Sequence, residues 1–122
     1  MSAPSVDKVL RAKQKGWRRR YSRYRANFPL TATAFRENGY EVLQGRCSDI
    51  GRGGMGVVLT PPAHASEVLS LEFTLPNHPT PLTLRAIVRY RKGFSHGLEF
   101  LGATSEQQSI IEEVCATLEM TE

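Results

Sequence analysis

The sequence predicts a small, mainly β domain: a six-stranded antiparallel barrel with a C-terminal α-helix and a basic N-terminal arm. Three observations lead there. Between residues 28 and 100, six short segments rich in β-branched, aromatic and other apolar residues are separated by Gly, Pro and Asn turn signals. After Gly102 the apolar spacing changes from a period of two to a helical one. A chain of 122 residues is the length of one domain, and closure into a barrel would leave six short strands with no exposed edge.

The elements follow in order. Residues 5–15 have little apolar anchoring beyond Val9 and Leu10, so residues 1–16 are read as an arm, weak helix or coil, and residues 17–122 as the domain. The stretch Phe28–Arg36 is rich in β-formers, with Pro29 tolerated at a strand start. Asn38-Gly39 is a strong hairpin signal, and Tyr40–Ile50 reads as the returning strand. Gly51–Gly56 is a turn, and Gly56–Thr60 a short strand ended by Pro61-Pro62. Leu69, Leu71, Phe73 and Leu75 alternate on one face of the next strand. Leu82, Leu84, Ala86, Val88 and Tyr90 alternate on the following one, with Arg85 and Arg89 opposite. Phe94, His96, Leu98 and Phe100 alternate on the last. Thr104 with Gln107 forms a capping box. Ile110, Val114 and Leu118, with Ile111 beside them, then make the buried stripe of a helix.

Composition narrows the function. No apolar run approaches the roughly 20 residues of a membrane helix, and residues 1–14 contain no apolar core of a secretory signal. Cys47 and Cys115 are too few for a disulfide framework or a four-cysteine zinc site, and a cytoplasmic location is expected. His64, His78 and His96 are scattered without ligand spacing, so no metal is expected. Cys47 with His96 has no third group to orient it, and no GxSxG elbow or framed carboxylate pair is present, so no enzyme is expected.

The net charge of +4 hides a division. Residues 1–25 carry nine bases and one acid, Asp7, whereas the rest carries seven bases and eleven acids. Such an arm attracts phosphate, nucleic acid or an acidic partner, although a solvated tail has the same composition. Trp17, Tyr21 and Tyr24 interleave with its arginines, a pattern that single-stranded nucleic-acid binders also show, but nucleic acid is the lesser reading.

Gly51-Arg52-Gly53-Gly54-Met55-Gly56 formally matches GxGxxG, but a strand and two prolines follow where a dinucleotide fold needs a helix. The glycines then mean either a tight turn with positive φ or a bare backbone open to close approach. In the run Arg18–Arg25, Arg19 and Arg23 are the arginines at RxxxR spacing, and planar guanidinium forks bind phosphate and the O6 and N7 of guanine.

The RxxxR before the first barrel strand, followed by Asp49-x-Gly51-x-x-Gly54 after the second and by Gly-Leu-Glu-Phe at 97–100, resembles the PilZ domain family over residues 17–118. The resemblance implies a PilZ-like six-stranded barrel with a C-terminal helix that binds cyclic di-GMP and regulates a protein effector. It implies Arg19 and Arg23 on phosphate and guanine, Asp49 on a guanine N1–H and N2–H₂ edge, and Gly51 and Gly54 as permissive turn positions. Arg52 either reaches a phosphate or guanine or is a solvated turn residue. The family's signature has serine where this chain has Gly51, a loss worth roughly 0.5–1.5 kcal/mol of one neutral hydrogen bond. A barrel that has lost the nucleotide and acts as a protein–protein adaptor is the alternative. The arm is expected to be loose until a ligand orders it, and replacing Arg19 or Arg23 by Ala is expected to leave thermal stability nearly unchanged.

Overall fold

A computed structural model describes residues 21–121 of the chain. Arg19, Trp17 and the proposed arm and weak helix over residues 1–16 lie outside the described residues. The remainder forms β1 (Tyr24–Arg36), β2 (Gly39–Ile50), β3 (Gly54–Thr60), β4 (Val68–Phe73), β5 (Leu82–Lys92), β6 (Ser95–Leu101) and α1 (Ser105–Cys115).

The strands close into a barrel in the order β1-β2-β3-β6-β5-β4, with β1 pairing β4 to seal it. Every pair is antiparallel. Closure pairs both edges of each strand, which removes the aggregation hazard of a free edge. The interior is filled by the inward residues of the alternating strands, among them Ala32, Leu43, Leu59, Leu69, Leu71, Ala86 and Leu98, all fully buried. Phe28 stacks on Phe73 across β1 and β4, with ring centroids 5.6 Å apart.

The predicted strand boundaries and faces shift in several places. β1 begins at Tyr24 rather than Phe28, because Tyr24 and Arg25 pair with Ile50 and Asp49 before a bulge interrupts the ladder. β3 begins at Gly54, inside the predicted turn. Tyr90 leaves the buried face: a bulge between Val88 and Tyr90 inserts one residue into β5, so Tyr90 faces Gly97 from outside the barrel. Phe94 lies in the β5–β6 turn and is 56 % exposed, so the inward alternation of β6 starts with His96.

His96 is a satisfied core residue. Its Nε2 accepts the Ala63 N–H at 3.0 Å, and its Nδ1 lies 2.8 Å from the Phe94 carbonyl, so Nδ1 is the protonated nitrogen. Burial, the largest influence, pushes its pKa below the ordinary imidazole value.

The capping box at Thr104 forms as predicted: Gln107 N–H donates to Thr104 Oγ1, and the Thr104 N–H donates to Gln107 Oε1, both at 3.0 Å. The buried stripe of α1 is Ile111, Val114 and Cys115, with Ile110 half-buried at its margin; Leu118, expected on the same helix, lies beyond its end at Cys115 and is half-buried. The helix is therefore rotated slightly from the predicted face. It covers the barrel end that carries the β2–β3 turn, and the residues after it return alongside the start of β1.

Candidate functional site

Residues 21–25, the described part of the basic segment, and the glycine turn meet at that end of the barrel. Asp49 lies next to last in β2, beside the bulge between Cys47 and Asp49 that loosens the β2–β3 register. Arg23 lies one residue before β1 and runs its side chain along the turn. Its Nη1 donates to Asp49 Oδ1 at 2.6 Å, a charge-assisted bond. The guanidinium side is 6 % exposed and the carboxylate 27 %, so the pair is shielded on one side and wet on the other. The Arg23 carbonyl accepts from both the N–H and the hydroxyl of Thr121, at 3.0 and 3.1 Å. Residues 21–25 are thus seated on the barrel, against the expectation of a loose arm for this part of it. Because Arg23 is buried and paired, its replacement also bears on stability, which corrects the expectation of neutrality.

The glycine turn has a different physical basis from a positive-φ bend. Gly39, Gly93 and Gly102 are the described glycines with positive φ, and Gly51, Gly53 and Gly54 are not among them. These three are glycine because other atoms occupy the space of a side chain. A Cβ on Gly51 would lie 2.3 Å from the Ser22 carbonyl oxygen, and one on Gly53 would lie 2.8 Å from the Tyr21 ring. One on Gly54 would lie 2.0 Å from the Leu98 carbonyl oxygen across the β3–β6 pair. The turn is closed by Gly51 N–H donating to Gly54 O at 2.9 Å. The close approach predicted for a ligand is made here by the chain's own leading segment.

Arg52 projects from the turn and is not a merely solvated residue. Its Nε is 3.0 Å from Glu112 Oε2 on α1, and its guanidinium lies 5.3 Å from the centroid of the Tyr21 ring. Arg52 therefore ties the leading segment to the helix through the turn, by an exposed ion pair and a cation–π contact worth little each.

Sequence reasoning missed part of this surface. The Asp49 carboxylate lies over Gly56, where a Cβ would come within 2.8 Å of Oδ2. Gly56 pairs with Gly97, and Gly97 with Tyr90, whose ring fills the space above Gly97. Across β2, β3, β6 and β5 the outer face thus carries a carboxylate and an aromatic ring held down on two paired glycines. The Gly97 motif was visible in the sequence. The ring above it was not, because simple alternation assigns Tyr90 to the core.

Cys47 bonds within its own strand rather than to His96. Burial, the largest influence, pushes the Cys47 thiol far above its ordinary range, and its Sγ donates to the Asp49 carbonyl at 3.2 Å. Cys115 is likewise buried, with its thiol pushed up to about 11. Among the described residues, no three His, Cys, Asp or Glu side chains gather to hold a metal ion, and no helix is long and apolar enough to cross a membrane.

No curated protein matches the sequence. Among solved structures, the chain is similar to the PilZ domain of CeSA from a cellulose-synthesizing bacterium, at 16% identity and a TM-score of 0.61, over 78% of this chain and 95% of that one. It is similar to the Bacillus subtilis inhibitor of motility MotI/DgrA, at 23% identity and a TM-score of 0.65, over 83% of this chain and 50% of that one. It is also similar to the PilZ domain with c-di-GMP of YcgR from Escherichia coli, at 18% identity and a TM-score of 0.64, over 84% of this chain and 92% of that one. At these identities the likeness establishes the barrel and its closing helix. The family model for the PilZ domain matches residues 18–117, a span that holds the arginine run, the glycine turn, all six strands and α1, and on that match the chain belongs to the PilZ domain family.

Proposed function

We propose that this protein is a cyclic di-GMP receptor, not an enzyme, which acts in the cytoplasm by changing the surface it offers to an effector protein. The observation that carries the reading is the meeting of Arg23 with Asp49 at 2.6 Å on the rim of the glycine turn. One half of the RxxxR motif and the acid of the second motif, 26 residues apart, share one place on the barrel. The chemistry suits the ligand. Guanidinium forks from Arg19 and Arg23 match a phosphate or the O6 and N7 edge of guanine. The Asp49 carboxylate accepts from the N1–H and N2–H₂ edge, and Gly51 and Gly54 keep the turn narrow. Arg52, whose guanidinium lies over the Tyr21 ring, is on this reading a stacking partner for a purine. The PilZ domain of YcgR with c-di-GMP has the same fold and supports the ligand class.

A second reading is favoured by one specific feature. The space of the family's serine at position 51 is filled by the Ser22 carbonyl, and Arg23 and Asp49 satisfy each other. A barrel closed in this way can serve as an adaptor that uses the same face for a protein partner. Calorimetric titration of the full chain with cyclic di-GMP, GTP and an unspecific oligonucleotide separates the readings. Micromolar or tighter binding of cyclic di-GMP alone is expected. Silence with all three leaves the adaptor, and salt-steep binding of the oligonucleotide would point to nucleic acid instead.

A further inference from the structure

The residues after α1 take no part in the barrel ladder, yet they are hydrogen-bonded to the segment that carries Arg23. Tyr24 forms an antiparallel bridge with Met120. The Arg25 N–H donates to the Glu119 carbonyl at 2.7 Å. Thr121 donates its N–H at 3.0 Å and its hydroxyl at 3.1 Å to the Arg23 carbonyl, across 98 positions of sequence. Arg23 precedes β1, so the β1–β2 ladder does not hold its carbonyl, and among the described residues both donors to it belong to Thr121. The same C-terminal region also reaches Tyr21, because Glu112 on α1 pairs with the Arg52 that lies over the Tyr21 ring.

We infer that Glu119–Thr121 is a positioning strand for the arginine site, so that nucleotide binding and the seating of these three residues are thermodynamically linked. This rests on the receptor reading above. A long guanidinium side chain is located by its backbone. An arm already held at Arg23 and Arg25 gives up less conformational freedom when a ligand arrives, so the strand raises affinity by preorganisation. Linkage is reciprocal: whatever factor the seated strand adds to nucleotide affinity, bound nucleotide adds to the seating of the strand. A partner that draws residues 119–121 away would weaken nucleotide binding by the same factor. Thr121 and Glu119 touch no ligand in this scheme and act through Arg23 and Arg25.

A graded series at Thr121 in the full chain tests this. Thr121→Ser keeps both donors, Thr121→Val keeps the N–H alone, and Thr121→Pro removes both. With cyclic di-GMP as titrant, Thr121→Ser should match the wild type, Thr121→Val should bind about threefold more weakly, and Thr121→Pro about tenfold, in line with one and two neutral hydrogen bonds lost. Thermal midpoints should fall only by the worth of these same hydrogen bonds, since no core residue changes. Saturating cyclic di-GMP should also slow hydrogen exchange at the Thr121 and Arg25 amides of the wild type, a readout that needs no variant. Wild-type affinity or tighter binding in Thr121→Val and Thr121→Pro would overturn the linkage, as would exchange at both amides unaltered by ligand. Absence of binding by the wild type would instead fail the receptor reading, and the linkage with it.

Discussion

Installing the family's serine at position 51 should weaken nucleotide binding, although the motif alone predicts a gain. By the motif, the serine hydroxyl would add one neutral hydrogen bond, about 0.5–1.5 kcal/mol. The folded chain sets a greater cost against it. A Cβ at position 51 would stand 2.3 Å from the Ser22 carbonyl oxygen and 3.1 Å from Arg23 Cδ, whereas ordinary contact begins near 3.4 Å. The leading segment must therefore retreat by about 1 Å, and a 2.6 Å bond from Arg23 to Asp49 stretched by that amount is no longer a hydrogen bond. Overpacking of this kind costs about 1–3 kcal/mol, and a hydrogen bond to a charged group is worth about 1.5–3 kcal/mol. We expect Gly51→Ser and Gly51→Ala each to bind cyclic di-GMP about ten- to a hundredfold more weakly, a loss of roughly 1.4–2.8 kcal/mol. Any advantage of Ser over Ala would measure the hydroxyl by itself. Calorimetry reads the affinity, and faster exchange of the Arg25 amide reads the displaced segment without ligand. A Gly51→Ser variant that binds as tightly as the wild type, with Arg25 exchange unchanged, would refute the steric reasoning.

The other predictions concern stability. Asp49→Ala leaves the nearly buried Arg23 guanidinium without its carboxylate and should lower unfolding free energy by about 1–3 kcal/mol, the cost of leaving a buried donor unsatisfied. Arg23→Ala leaves behind a partly exposed carboxylate that water can reach, so its cost should be smaller; denaturant unfolding of both variants checks the order. His96 is held below its ordinary pKa by burial, so below about pH 6.5 the unfolded chain takes up a proton that the folded one refuses. Its contribution to stability is full above that pH and falls as pH drops toward the lowered folded value. A pH series of unfolding free energies should show this loss for the wild type and lack it in His96→Gln.

Much of the barrel was legible because its strands obey one rule. Each inward position of β4, from Leu69 to Phe73, and of β5, from Leu82 to Val88, is buried as the alternation predicts. The rule failed at a bulge. One extra residue after Val88 moves Tyr90 from the core to the outer face, and no feature of the sequence around Arg89 announces the insertion. The helix was placed correctly by its capping box, but its buried face was set by contact with the barrel end, where Cys115 and Ile111 meet the chain more closely than Ile110 and Leu118 do. Motif spacing singled out Arg23 and Asp49 in two separate motifs, each as a ligand contact, and did not show that they meet as an ion pair. It had no means of finding Thr121 or Glu112, whose roles come from the C-terminal region returning alongside β1.

The glycine turn brings the site and the fold together. Read as letters, Gly51-Arg52-Gly53-Gly54 suggests either backbone freedom or an opening for a ligand. In the folded chain the side-chain space at Gly51 holds the Ser22 carbonyl, that at Gly53 the Tyr21 ring, and that at Gly54 the opposing strand. A turn built to receive the leading segment makes the absence of serine at 51 a matched change, because a side chain there and Ser22 in its present place exclude each other. The segment so seated presents Arg23 to Asp49 and Tyr21 to Arg52. On the receptor reading, a nucleotide would meet the wet side of that ion pair. The energetic question for this barrel is therefore how much of the Arg23–Asp49 attraction a ligand must replace, and a ligand carrying two phosphates and two guanines offers both partners a substitute at once.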